Sequence, residues 1–231
     1  MIEIVLDTET TGLDPAQGHR IVEIGCVELE NHIPTGRTLQ LYLNPEREMD
    51  AEVIAVHGLT NEFLSDKPKF HEKAEEFLNF IGSDSKLVIH NAAFDMKFLN
   101  AELVTCGYQP LSYDRVIDTL LIARQKFPGS RVNLNELCKR FDVDASARTV
   151  HGALLDSELL ASVYLELIGG REPGLVLNSR VQQKQNNNQN VLSKEKKCVF
   201  HEPRSFPVSN EELEQHIEFI KKIKNNLWSD V

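Results

Sequence analysis

Apolar and polar positions alternate in short blocks over the first 45 residues, as expected for β-strands. Apolar blocks occupy residues 2–6, 20–30 and 38–43, and the last one ends at Asn44-Pro45. Connections this short usually join strands that are neighbours in the sheet. We therefore predict an antiparallel meander of three strands, with the first strand central or nearly central in the sheet.

Helical spacing of apolar residues dominates from residue 49 onwards, interrupted by two short apolar runs at residues 86–89 and 116–117 that predict buried strands. Helices are predicted over residues 49–56, 70–81, 92–106, 119–127, 133–141 and 153–168, with another short helix after Thr60. In this reading Asn91 caps the helix that begins at residue 92, and Asp118 caps the next one. The order of elements predicts an α/β domain over residues 1–172, with a mixed sheet flanked by helices.

The composition changes sharply after this domain. Eight of the nine residues at 182–190 are Gln or Asn, so we predict a flexible linker over residues 173–195. Residues 209–227 then predict a helix with one apolar stripe, and Ser209 and Glu212 form a capping-box pattern at its start. About 35 residues cannot build a core of their own. We expect the tail, residues 196–231, to dock on a partner; folding back onto its own domain is the alternative.

The charge balance narrows the classes of function. With 25 basic and 35 acidic residues the formal net charge is −10, which argues against a tight non-specific nucleic-acid binder. It does not exclude an enzyme whose positive charge comes from bound metal. The four cysteines are scattered without CxxC spacing, which fits a reduced, cytoplasmic protein. We expect no signal peptide and no membrane span.

Asp7 and Glu9 follow the first apolar run and are two residues apart, so a strand would place both carboxylates on one face. Two adjacent acids at the end of a buried strand repel each other, and a divalent cation would offset that cost. The spacing alone also occurs by chance at a solvated strand end. Its interpretation depends on whether other acids join it.

Three further residues are candidates for the same site. Asp95 follows a buried strand, and Asp156 lies near the start of the last helix of the domain, although an acid at either place is often a helix cap. His151 precedes Asp156 by five residues, which is about 140° around a straight helix. The two can act together only if His151 lies in the loop before the helix and Asp156 in its first turns.

The chemistry of this set is that of phosphodiester hydrolysis. Four carboxylates can hold two Mg²⁺ or Mn²⁺ ions, which prefer hard oxygen ligands, and Asp7 would bridge them. Two such ions clamp a phosphate and stabilise the attacking and leaving oxygens. A histidine with a pKa near neutrality can take the proton from the attacking water.

The segments DTETTG at residue 7, HNAAFD at residue 90 and HGALLD at residue 151 resemble the three motifs of the DEDD exonuclease superfamily, His-type branch. The similarity continues through Arg148-Thr149, Gly169-Gly170 and Leu227-Trp228. It implies an RNase H-like fold and 3′→5′ removal of mismatched nucleotides from DNA. It also implies two divalent metal ions and a C-terminal segment that binds the catalytic subunit of a polymerase.

The resemblance assigns roles by position. It implies that His151 is the general base and that Asp118 has at most a supporting role. The implied metal ligands are Asp7, Glu9, Asp95 and Asp156. The residues implied to contact the terminal nucleotide are Asp7, Glu9, Thr10, Thr11, His57, Phe94 and Asp156. For His57, a surface histidine at a helix end is the alternative.

The implied partners are single-stranded DNA 3′ ends and the catalytic (alpha) subunit of a bacterial DNA polymerase, bound through residues 196–231. Family members often carry a clamp-binding peptide that starts with Gln, but the stretch at residues 171–177 lacks Gln and matches its apolar anchors only roughly. We therefore expect binding to the sliding clamp to be weak or absent. The alternatives are a His-type 3′→5′ exoribonuclease and a non-catalytic polymerase scaffold.

Overall fold

A computed structural model of the chain describes residues 1–146, 148, 150–169 and 209–222. It divides into two units, Met1–Val176 and Leu177–Val231. The predicted linker at residues 173–195, the clamp-peptide stretch and the beginning and end of the predicted tail lie outside the described residues. The proposed domain boundaries therefore stay predictions.

A five-stranded mixed sheet forms the centre of the first unit, with the strand order β3-β2-β1-β4-β5. The strands are β1 (Ile2–Thr10), β2 (Ile21–Glu30), β3 (Ile33–Tyr42), β4 (Lys86–Ile89) and β5 (Val116–Asp118). β1 pairs antiparallel with β2 and parallel with β4, and β4 pairs parallel with β5. The predicted meander, the mixed sheet and the central position of β1 are confirmed.

The third strand begins at Ile33, earlier than the predicted start at Thr38. Asn31 and His32 form the tight turn before it, with φ angles of 51° and 68°. β3 is an edge strand whose residues are mostly exposed, so its first half carries no apolar alternation. That is why the hydrophobic pattern missed it.

Helices cover the sheet at the predicted places, with ends shifted by one or two residues. They are α1 (Ala51–His57), α2 (Asn61–Leu64), α3 (Phe70–Ile81), α4 (Ala92–Thr105), α5 (Thr119–Lys126), α6 (Leu134–Arg140) and α7 (Ala153–Leu167). Short 3₁₀ turns occur at Pro15–Gln17 and Tyr113–Arg115. Within the described ranges, no helix has the length and apolar character needed to cross a membrane.

The second unit contains the helix α8 (Asn210–Lys222). The capping box is confirmed, because the Ser209 backbone N–H donates to Glu212 Oε2 at 3.0 Å and Ser209 Oγ accepts from the Glu212 N–H at 3.3 Å. Leu213 and Ile217 of the predicted apolar stripe are 46% and 48% exposed. The part of the predicted helix beyond residue 222 lies outside the described ranges.

Alternate residues of β1 enter two different cores. Ile4 and Leu6 pack in the cluster that contains residues of α3 and α4, whereas Val5 packs with residues of α7. All three are fully buried. β1 is therefore covered on both faces, and helices from both sides reach its carboxyl end.

The start of α7 is fixed on β2. A Cβ atom on Gly25 would lie 2.1 Å from the carbonyl carbon of Ala153, so only glycine permits this approach. Ser157 Oγ donates to the Gly25 carbonyl at 2.9 Å, and Glu23 accepts from the Ala153 N–H at 3.1 Å. These contacts hold the helix turn that carries Asp156.

Two serines of α7 allow this anchor to be measured. Ser157 donates across to β2, whereas Ser162 donates within its own helix to Glu158 O at 3.3 Å. We expect Ser157→Ala to lower the free energy of unfolding by about 1 kcal/mol. Ser162→Ala should change it by less than about 0.5 kcal/mol. Urea unfolding of both variants checks this, and equal effects would contradict the anchoring role.

Candidate active site

A cavity of about 260 Å³ lies beside the carboxyl ends of β1 and β4, the place where sites form in α/β folds. Six predicted site residues line it: Asp7, Glu9, Phe94, Asp95, His151 and Asp156. His90, Asn91 and Arg148 line it too, although the sequence had assigned them no role there. The structure therefore brings all four predicted metal ligands and the predicted base together.

Asp95 enters from the first turn of α4 and is 3% exposed. Its Oδ1 accepts two hydrogen bonds from Thr8 of β1, one from the backbone N–H at 3.0 Å and one from Oγ1 at 2.7 Å. The carboxylate is thus held against the strand that carries Asp7 and Glu9. A strand and a helix that are far apart in the chain are joined here by one side chain.

Asp118, rather than Asn91, caps α4. Asn91 makes no side-chain capping bond and has a left-handed backbone, with φ of 67°. The Asp118 carboxylate accepts from the N–H groups of Asn91 and Ala92, each at 3.2 Å. It also accepts from Leu120 N–H at 2.8 Å and so caps α5 as predicted. One carboxylate holds two helix starts, which gives Asp118 a part in placing Asp95.

His151 and Asp156 have the arrangement that their spacing required. His151 lies in the loop two residues before α7, and its backbone N–H donates to Val56 O at 3.1 Å. Asp156 lies in the first turn and is 3% exposed. Glu9, His151 and Asp156 each offer one ligand atom, and these atoms lie within 4.8 Å of one another.

The side chain of Arg148 contacts both Asp156 and His151. Its Nε and Nη2 donate to the two carboxylate oxygens of Asp156 at 2.5 and 2.6 Å, and Nη2 lies 2.7 Å from His151 Nδ1. Nη1 donates to Asn135 Oδ1 on α6. The only sequence feature that indicates a role for Arg148 is its position, three residues before His151 and eight before Asp156. Its contacts depend on how the loop folds.

Burial and mutual repulsion oppose ionisation of the acids. The pKa of Asp7 is raised well above its ordinary value by burial and by the neighbouring Asp95, Glu9 and Asp156. Burial and Asp156 raise the pKa of Glu9 to about 8, and burial raises the pKa of Asp95 to about 7. The guanidinium of Arg148 lowers the pKa of both Asp7 and Glu9.

A cluster of carboxylates with so little positive charge fits divalent cations. Oxygen ligands and a neighbouring imidazole suit Mg²⁺ or Mn²⁺ better than a soft metal. Asp7, Glu9, Asp95 and Asp156 would hold them, since all four carboxylates line the one cavity.

Three residues expected at the nucleotide do not line this cavity. Thr10 Oγ1 donates to Gly12 O at 2.7 Å, and Thr11 Oγ1 accepts from Arg20 N–H at 3.0 Å, so both hydroxyls build the turn after β1. His57 is buried, so the alternative of a surface histidine is wrong. Its Nδ1 accepts from Leu59 N–H, while its buried Nε2 has no hydrogen-bond partner in the described part of the chain. Nucleotide contact by these three stays a prediction.

The raised pKa values predict how stability depends on pH in chelator. Below about pH 4.5, the Glu9 carboxyl group is protonated in both the folded and the unfolded chain. Between about pH 4.5 and about pH 8, it stays protonated only in the folded chain. The folded state therefore binds more protons, and the free energy of unfolding falls as the pH rises through this window. Urea unfolding from about pH 5 to about pH 8 measures the slope. Glu9→Gln should make the slope shallower, while Asp7 and Asp95 still contribute to it. Equal slopes in the two proteins would contradict the burial of the Glu9 charge.

Comparison with known proteins assigns the family. The family model described as "Exonuclease" matches residues 4–164. The DNA polymerase III epsilon subunit of Rickettsia conorii is 51% identical over 226 residues, which cover 96% of each protein. That of Escherichia coli is 47% identical over 176 residues, 73% of this chain and 72% of that protein.

Solved structures support the same fold at lower identity. The nuclease domain of 3′hExo, a DEDDh family member bound to rAMP, has a TM-score of 0.61 at 20% identity and covers 73% of this chain and 92% of that one. Exonuclease X, in complex with 5′-overhanging duplex DNA, has a TM-score of 0.56 at 24% identity with the same coverage. The RNase H-like fold expected from the motifs is confirmed. The chain belongs to the exonuclease family and, within it, to the DNA polymerase III epsilon subunits.

Proposed function

We propose that this chain removes misincorporated nucleotides from the 3′ end of the primer during DNA replication, with hydrolysis that releases nucleoside 5′-monophosphates. One observation carries the proposal: a single cavity collects Asp7, Glu9, Asp95 and Asp156 together with His151. A scaffold without activity would have no need to gather carboxylates whose pKa values are raised by their own repulsion.

Each side chain has a defined task in this reaction. The four carboxylates would hold two Mg²⁺ or Mn²⁺ ions, which would supply positive charge at the scissile phosphate. Asp7, on the central strand, would be shared between them. His151 is 47% exposed at the loop before α7, so it can reach an attacking water and take its proton. Phe94 lines the cavity, where its ring can contact the terminal nucleotide.

The proposed substrate is a frayed, single-stranded DNA 3′ end. A net charge of −10 leaves little affinity for the phosphate backbone, which is bound chiefly through lysine and arginine. The enzyme would thus depend on the polymerase to deliver the primer. Mispaired ends fray more easily than paired ones, and this difference would select the substrate without base readout.

The polymerase partner would be the alpha subunit of DNA polymerase III, bound through residues 196–231 in the bacterial cytoplasm. The half-exposed apolar positions Leu213 and Ile217 of α8 support this proposal, because an amphipathic helix binds by its apolar face. We propose no more than weak binding to the sliding clamp, since the stretch at residues 171–177 departs from the clamp peptide.

Asp7→Asn tests the metal assignment. Loss of a residue that merely supports a metal ligand lowers metal affinity or activity by about 10–100-fold. Replacement of a proposed ligand itself should therefore reduce excision by at least about 100-fold. Because the change removes a repelling charge, the chelated protein should be as stable as wild type or more so. Excision of a 3′-mismatched DNA primer and thermal unfolding in chelator provide the two measurements.

Glu76→Gln is the control, since Glu76 pairs with Lys73 on the surface of α3 and should leave both quantities unchanged. Undiminished activity of Asp7→Asn would remove Asp7 from the site.

An RNA oligonucleotide of the same sequence, assayed beside the DNA, tests the exoribonuclease alternative. Faster cleavage of the RNA would favour that alternative.

Deletion of residues 178–231 tests the docking proposal. The truncated protein should keep its nuclease activity and lose co-purification with the alpha subunit. In the full chain, Ile217→Glu should weaken this binding because it places a charge on the apolar face, whereas Glu214→Gln should not. Survival of polymerase binding in the truncated protein would show that α8 and its flanking residues are not the docking segment.

A further inference from the structure

Arg148 occupies both oxygens of a proposed metal ligand. The side chains of Arg148 and Asp156 are only 8% and 4% exposed, and their two parallel hydrogen bonds of 2.5 and 2.6 Å form a bidentate pair. Each carboxylate oxygen keeps a second lone pair, but a cation that binds Asp156 would lie beside the positively charged guanidinium, which repels it. Arg148 and a divalent cation therefore compete for the same carboxylate.

The same guanidinium engages the proposed general base. Arginine nitrogens can only donate, so the 2.7 Å contact makes His151 Nδ1 the acceptor. A neutral imidazole then carries its proton on Nε2, which leaves neither ring nitrogen with a free lone pair. In this arrangement His151 cannot accept a proton from water until Arg148 moves.

The surroundings of Arg148 allow such a movement. Asn135 Oδ1 on α6 accepts from Nη1 and gives the guanidinium a partner outside the acid cluster. Two described residues of this segment are held by backbone hydrogen bonds, since Arg148 N–H donates to Ala145 O at 3.0 Å and His151 N–H to Val56 O at 3.1 Å. Asn135 would remain a partner for the guanidinium if it left Asp156.

We infer that Arg148 is a positioning residue that competes with the divalent cation for Asp156 and holds His151 inactive until the cation binds. The guanidinium balances part of the acid charge while it is paired with Asp156. Binding of the cation displaces it and frees the ligand and the base together. Hydrolysis is thereby limited to the metal-loaded site. This inference rests on the proposed metal ligation by Asp156.

Calorimetry of the full-length, chelator-treated protein with MnCl₂ tests the competition. Arg148→Gln removes the competing charge and should tighten Mn²⁺ binding by about tenfold, the equivalent of one charge-assisted hydrogen bond. Arg37→Gln is the matched control: it removes an arginine that pairs with the buried Glu28 away from the cavity, and it should bind Mn²⁺ like wild type. Unchanged or weaker Mn²⁺ binding by Arg148→Gln would overturn the inference.

A second readout uses the unaltered chain and does not depend on the variant folding. The Arg148 Nε–H resonance should be that of a hydrogen-bonded proton in chelator and should shift as Mg²⁺ saturates the protein. A resonance that is unchanged at saturation would also overturn the inference. Failure of the wild-type protein to bind Mn²⁺ at all would instead remove the proposed metal site, so the two failures are distinguishable.

Discussion

Repulsion among carboxylates is the constraint on which the rest of this structure depends. Asp7 and Glu9 stand on the central strand, and Asp95 and Asp156 are brought beside them from helices on opposite faces of the sheet. Their pKa values show the cost, since burial and neighbouring acids raise that of Asp7 well above its ordinary range and that of Glu9 to about 8. Such a cluster persists only because the scaffold around it is fixed.

Hydrogen bonds between distant parts of the chain supply that fixation. Thr8 holds Asp95 on β1, and Asp118 caps the helix that carries it. Glu23 and Ser157 attach the start of α7 to β2. The contacts of Asp118, Glu23 and Ser157 lie outside the acid cluster, whereas Thr8 donates directly to Oδ1 of Asp95, one of the four acids. The folding free energy of the sheet and its helices thereby holds the acids at separations that they would not adopt alone.

Local patterns predicted much of this arrangement. Period-two and helical spacing located the elements, and the loop position of His151 followed from its five-residue distance to Asp156. The patterns failed where the outcome depends on contacts between distant residues. The capping of α4 by Asp118 and the pairing of Arg148 with Asp156 are set by tertiary structure. The early start of β3 was missed because an exposed edge strand has no apolar face. The hydroxyl groups of Thr10 and Thr11 do not line the cavity because they form hydrogen bonds within the turn after β1.

The central claim is that the four carboxylates form one site for divalent cations at the end of β1. Anomalous diffraction from crystals grown with Mn²⁺ tests it most directly, because the signal identifies the ion and its position at once. We expect two Mn²⁺ peaks in the cavity, with Asp7 in contact with both and Glu9, Asp95 and Asp156 as further ligands. Peaks elsewhere on the protein, or a cavity without Mn²⁺ at saturating concentration, would contradict it.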